Sequence, residues 1–279
     1  MNFNFEMPVP KYIVTDPLGN HVYKVVFHDE RPSIEGLVSV STQLAIIGGA
    51  KINILMNWAK KKVVERAQEQ FDVLLKTDGA EITREKIEEI LLTAKKEPKK
   101  IFVEAGDLGD VVHKYIDGWI NCYLINKVFV YEHYVPASNK FFEQGKVGFE
   151  TFQQWIKTHN LRPVTGDLAV ASIKYKYAGR LDAIFTDGKY FYLMDWKTAN
   201  YMDDGYTAQV AGYNMALLET YGFKCSKGIV VRIDKLKEGV VEPKMVNMAG
   251  AEQLWKDVMR MNKSYVSSKL WITKKNPKK

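Results

Sequence analysis

YAGRLDAIFTDGKYFYLMDWKTAN, the run from Tyr177 to Asn200, decides how the rest of the chain is read. Leu181–Phe185 and Tyr190–Trp196 are rich in apolar, aromatic and β-branched residues, and Thr186-Asp187-Gly188 between them is a turn signal, so the segment predicts a β-hairpin. Asp182 then sits in the first strand, and Asp195 and Lys197 close the second. Side chains two apart on a strand point the same way, which puts Asp195 and Lys197 on one face. If Asp182 faces that side, two carboxylates and an ammonium meet at one place.

Such a meeting has two explanations. One is a surface salt bridge. The other is a site for a divalent cation that binds a phosphate: hard oxygen ligands select Mg²⁺ or Mn²⁺, and the ammonium orients an attacking water. An acid-x-Lys triplet alone carries little weight, because Asp187-Gly188-Lys189, Glu97-Pro98-Lys99 and Glu242-Pro243-Lys244 share it and read as turn or loop. Asp195-Trp196-Lys197 differs in context, with an apolar strand before it and Gly179-Arg180-Leu181-Asp182 on the strand before that.

Outward from this hairpin, Gln209 and Tyr213 lie four apart on a predicted helix Thr207–Tyr221 and share a face. Upstream, Gly106-Asp107-Leu108-Gly109-Asp110-Val111-Val112-His113 puts a histidine after small residues, on a helix expected over Val103–Tyr123. Gly179-x-x-Asp182, Asp195-x-Lys197, Gln209-x-x-x-Tyr213 and the upstream His113, in this order, resemble the RecB-like branch of the PD-(D/E)XK nucleases, which includes phage exonucleases and the mitochondrial genome maintenance exonuclease. The likeness covers Val103 to Tyr221. It implies that Asp182, Asp195, the Trp196 carbonyl and His113 hold Mg²⁺ or Mn²⁺ and that Lys197 positions the water. Arg180, Thr198, Ser41, Gln209 and Tyr213 then contact substrate. On the residues alone, His113 equally suits a hydrogen-bonded core position, and Gln209 and Tyr213 suit ordinary helix-to-sheet packing.

Composition sets wider bounds. The 279 residues are 46% hydrophobic, enough for one large domain or a core with an added lobe. A net charge of +7 favours an anionic partner, although solvated lysine faces give the same balance. Cys122 and Cys225 lie far apart, which fits a reducing compartment and excludes an iron–sulfur cluster held by four thiolates of one chain. This departs from the cluster-bearing members of the RecB-like branch. The N-terminus has no basic and apolar leader pattern, and no apolar run is long enough to span a bilayer, so the expected location is cytoplasmic, with no membrane partner. No G-x-x-x-x-G-K-[ST] occurs, so no nucleotide cofactor is expected.

Along the rest of the chain, Lys11–Asp16 and His21–His28 alternate around Pro17-Leu18-Gly19-Asn20 as a hairpin. Ser39-Val40-Ser41-Thr42 reads as a helix N-cap cluster before a helix through Ile52, Trp58 and Ala67; the resemblance adds a phosphate contact at Ser41. A second helix spans Ile82–Ala94. Lys60-Lys61-Lys62, Lys95-Lys96 and Lys99-Lys100 are either solvated helix ends or sequence-independent phosphate contacts. Asn139–His159 is an aromatic-rich helix, as core packing or a base-stacking platform. Leu161–Tyr177 supplies a strand in which Asp167 either supports the site or faces solvent. Strands over Gly228–Ile233 and Val240–Val246 and a helix over Ala251–Ser267 finish the ordered part.

These elements predict an α/β fold, a mixed central sheet flanked by helices in the restriction-endonuclease-like order αβββαβ. Residues 1–100 are expected to form a mostly helical lobe on a core of residues 101–270, with a basic tail over 271–279. The resemblance implies a metal-dependent DNA exonuclease acting on single strands or duplex ends in recombination, repair or replication, in a cellular or viral setting. A helicase, a single-strand-binding protein or an annealing protein would be its partners. A structure- or site-specific endonuclease is the alternative enzyme, and a catalytically silent DNA-binding recombination factor the alternative of another class.

Overall fold

The computed structural model of the chain describes residues 5–47, 49–77, 81–235, 237 and 239–267, with the side chains of residues 49–51, 266 and 267 excepted. The basic tail read at 271–279 lies outside them. Strands β1 (Tyr12–Thr15), β2 (Val22–Phe27) and β3 (Ile34–Ser39) lead into helices α1 (Val40–Leu44), α2 (Gly49–Lys76), α3 (Arg84–Leu124) and α4 (Phe142–Thr158). There follow β4 (Arg162–Ser172), β5 (Tyr177–Thr186), β6 (Phe191–Lys197), α5 (Asp204–Tyr221), β7 (Lys227–Ile233), β8 (Val241–Met245) and α6 (Met248–Ser267). The strands make one mixed sheet in the order β1-β2-β3-β5-β6-β7-β8, with β4 against β5. The fold is therefore α/β, a mixed sheet flanked by helices, with a helical region near the N-terminus.

Both faces of the sheet are covered, because its inner strands are apolar on both sides. On one face α3 and α4 bury Val112, Ile116, Phe149 and Phe152 against Ala183, Met194, Trp196 and Val231. On the other, α5 and α6 bury Val210, Tyr213, Leu217 and Trp255 against Leu181, Leu193 and Val230. Helix α5 is apolar nearly all round because it is enclosed between sheet and α6. Asp203 caps its start through Gly205 N–H at 2.7 Å, and Gly222, at φ 69°, ends it. Gly212 is a glycine for packing: a Cβ there would come 2.9 Å from the Trp255 ring.

The structure differs from the sequence-based expectation in three places. The first forty residues are not only a lobe, since β3, which local alternation did not reveal, pairs in parallel with β5 and joins the N-terminal hairpin to the main sheet. Glu97-Pro98-Lys99 is helical, and α3 runs unbroken for 41 residues through Pro98, Gly106 and Gly109. An interior proline costs a helix about 3 kcal/mol, which burial of Ala94 and the antiparallel packing of α2 along this half of α3 offset. Glu242-Pro243-Lys244 is strand, and Pro243 is tolerated because β8 is an edge. Asp187-Gly188-Lys189 is a turn, as its glycine at φ 90° requires.

Candidate active site

The site begins with a fork in the sheet. Strand β4 lies along one side of β5 from Tyr177 to Thr186. The other side is shared: β3 pairs with Tyr177 and Ala178 at one end, and β6 pairs with Ala183 to Thr186 at the other. Gly179, Arg180, Leu181 and Asp182 are left between the two prongs without a strand partner on that side. Beyond Met194, β6 stays with β7 as far as Lys197 and leaves β5. The separated backbone needs another acceptor, and the Asp182 carboxylate supplies it, taking the Trp196 N–H at 3.0 Å.

Asp195 projects into the fork. Its side chain is 1% exposed, and Lys197 Nζ stands 2.6 Å from Oδ2. This close contact falls on Oδ2 alone, and Oδ1 has no hydrogen-bond partner among the described residues. Burial, reinforced by the charge of Asp182, pushes the Asp195 carboxyl up to about 6, although Lys197 pulls the other way. Burial raises Asp182 also. Burial alone would lower Lys197, but the two carboxylates outweigh it and hold it above its ordinary value as an ammonium. The sequence-predicted trio is thus brought together, in an environment that strains to keep its carboxylates charged.

His113 reaches the site from α3. Gly109, one turn earlier, lets α3 approach the chain after β6, since a Cβ there would sit 2.6 Å from the Thr198 hydroxyl oxygen. The Trp196 indole N–H donates to His113 Nδ1 at 2.9 Å. An indole only donates, so Nδ1 accepts and the proton of the neutral ring is on Nε2. Burial, and then the charge of Lys197, lower His113 to about 4 and keep it neutral. For His113 to coordinate through Nε2, its proton would have to move to Nδ1 and the bond to Trp196 be given up. Among the described residues, no three His, Cys, Asp or Glu side chains are drawn together closely enough to hold a metal as they stand.

Helix α5 closes the other wall. Gly179 admits the Tyr213 ring, which a Cβ would meet at 2.6 Å, and Gln209 Nε2 donates to Tyr213 Oη at 3.2 Å. Tyr213 is buried and its phenol is held above the ordinary range by burial and by the charge of Asp195. The remaining candidates lie on the rim. Arg180 is exposed and grips Asp167 through two bonds of 2.6 Å, Asp167 standing at φ 46°. Ser41 is exposed on the opposite prong, its hydroxyl 2.9 Å from that of Ser39, which caps α1 through Thr42 N–H.

Two residues near the trio escaped the sequence reading. Asp117 follows His113 by four residues on α3, which is the signal that could have found it. Burial, with the charges of Asp182 and Asp167, raises it to about 7. Tyr206, in the first turn of α5, lies with its ring centre 5.2 Å from Lys197 Nζ; it precedes Gln209 by three residues and Tyr213 by seven, so the helical period that picked out that pair could have found it too. Compared with known proteins, the chain matches no family model and no curated protein.

Proposed function

We propose that the chain is a metal-dependent phosphodiester hydrolase acting on DNA, an exonuclease of the RecB-like PD-(D/E)XK kind. The observation that carries this reading is Asp195: a fully buried carboxylate, one oxygen beside an ammonium and the other without a partner, next to the partly buried Asp182. A buried carboxylate oxygen without a hydrogen-bond donor is costly. A bound cation removes that cost, and two carboxylates with the Trp196 carbonyl offer hard oxygen donors suited to Mg²⁺ or Mn²⁺. The resemblance adds His113 to that set after a change of tautomer.

A divalent ion in such a place polarises the phosphate and lowers the pKa of a bound water. The protein's own residues supply the rest. Lys197, fixed as an ammonium, orients the water and offsets charge growing on the phosphate rather than taking a proton. Gln209 and Tyr213 form the polar wall opposite, and Arg180 at the rim suits a phosphate oxygen because its fork binds oxyanions in pairs.

A digestion time course on end-labelled linear, circular and single-stranded DNA with Mg²⁺ or Mn²⁺ tests the proposal. Mononucleotides from linear DNA, with circles untouched, are expected. Nicked circles would make the chain an endonuclease, and intact DNA under every condition would overturn hydrolysis altogether.

A further inference from the structure

Away from the fork, the turn between β4 and β5 faces the C-terminal half of α6 across an open cleft of about 670 Å³. Lys174, Lys176, Lys256, Arg260 and Lys263 line it, with Tyr175 among them and no carboxylate. Arg260 is paired with Asp257 at 2.6 Å. The four lysines make no ion pair among the described residues, and Glu219 and Glu252 line an adjoining pocket with Lys174 and Lys256.

The turn that presents two of them is built rigidly. Glu219, from α5, accepts the backbone N–H groups of Ile173 and Lys174 at 2.7 and 3.0 Å and the Ser172 hydroxyl at 2.6 Å. Glu219 is therefore engaged by the turn itself, and Glu252 is held by Lys224 at 2.6 Å. On the opposite wall Asn262 donates to the Gln43 carbonyl at 2.7 Å, which ties α6 to α1.

The position of the cleft gives it meaning. It lies at the end of β5 from which the strand runs to the fork, and Lys176 precedes Asp182 by six residues, about 20 Å at a strand's rise. Ser41 and Arg180 lie between. Lysines without ion-pair partners suit a sequence-independent contact with the phosphates of a nucleic-acid strand; the half-buried Tyr175 ring, packed on the core, lies under Lys174 Nζ at 5.2 Å and holds that ammonium at the cleft.

We propose that this cleft docks the phosphodiester backbone of a DNA strand whose end lies in the fork. The inference rests on the nuclease reading, and one experiment separates the two. Binding of a fluorescent single-stranded oligonucleotide of about 30 residues is measured in EDTA against salt, for the full chain and its Lys174→Ala/Lys256→Ala/Lys263→Ala variant, each shown folded by circular dichroism. Hydrolysis of a dinucleotide, too short to reach the cleft, is measured with Mn²⁺. The variant is expected to bind at least tenfold more weakly near physiological salt, with a slope of log K against log salt shallower by about 2, and to cleave the dinucleotide as before. Equal affinity and slope in both proteins would overturn the cleft and leave the nuclease reading standing. Sedimentation with phosphatidylserine vesicles, lost in the variant while DNA binding is unchanged, would also overturn it by assigning the lysines to a membrane surface. A parent chain without DNA affinity or dinucleotide cleavage would remove the nuclease reading itself.

Discussion

Two acid–base pairs stand at the fork, and their closest approaches are the same. Asp195–Lys197 and Asp167–Arg180 both close at 2.6 Å. Their surroundings are opposite: Asp195 is 1% exposed, whereas Asp167 and Arg180 are each about half exposed, at 51% and 47%. Water screens the outer pair, so its net worth is about 0–1 kcal/mol. The inner pair carries a desolvation cost that one ammonium does not remove, since the Asp195 carboxyl is still pushed up to about 6. Distance alone does not separate the two pairs; burial with an unfilled acceptor does.

The largest expected effect follows from the inner acid. Asp195→Asn keeps shape and removes charge, so hydrolysis should fall below detection while the fold and DNA binding persist. Activity within a few-fold of the parent would erase the difference between the pairs. Lys197→Ala comes next. It should slow single-turnover hydrolysis by about 10²–10³, the typical worth of one group stabilising transition-state charge. It should also lower thermal stability at pH 7.5 by up to about 3–5 kcal/mol, because a buried charge loses its partner. At pH 5, where Asp195 takes up a proton, that penalty should shrink. An equal penalty at both pH values would mean that the pair is not coupled as described.

A third prediction concerns pH and metal together. Asp195 titrates at about 6 in the fold against 3.8 normally, so its protonated form is favoured by folding; this stability is present below about 3.8 and lost as pH rises through about 6. Asp117, at about 7, and Asp182 act in the same direction. His113, lowered to about 4, acts oppositely, its contribution being lost as pH falls. Surface carboxylates held low by their partners, Glu35, Glu65, Glu104, Asp187 and Glu242 among them, also act oppositely, but at the acid end of the range. Above it the three raised acids outweigh the imidazole, so the protein without metal should lose stability from about pH 5 to 7, on the order of 1.4 kcal/mol for each tenfold change that folding makes in a carboxyl's proton affinity. Mn²⁺ should restore it at pH 7.5 more than at pH 5, since metal and proton compete for the same oxygens. A metal-induced rise in melting temperature equal at both pH values would refute this.

How much of this was legible in the sequence depends on the range of the interaction. The hairpin and the facing of Asp195 with Lys197 follow from a two-residue period and a turn signal, both local. The helix pair Gln209 and Tyr213 follows from a four-residue period in the same way. The fork was not legible, because it depends on β3 and β6 choosing the same side of β5, a decision made by residues more than a hundred positions apart. Pro98 misled for a related reason: its local cost is real, but packing against α2 outweighs it. The Trp196 indole bond to His113 lay beyond any spacing rule, and it changes which imidazole nitrogen is free.

The smallest expected effect belongs to the outer pair, and it is the one that tests whether the comparison is drawn correctly. Asp167 stands at φ 46°, a region that asparagine tolerates, so Asp167→Asn removes the charge without straining the turn. Stability should change by less than about 1 kcal/mol, because both members already face water. The consequence for substrate runs the other way. Arg180, now held by two bonds to the Asp167 carboxylate and one to its backbone carbonyl, would keep the last but lose the charged grip, and its guanidinium could turn to a phosphate. DNA should therefore bind a few-fold more tightly at low salt, with the gain vanishing as salt is raised and with the single-turnover rate unchanged. Arg180→Ala should reverse the affinity and leave the rate alone. If Asp167→Asn instead slowed hydrolysis as severely as Asp195→Asn, the exposed acid would belong to the reacting centre, and burial would not be what separates the two pairs.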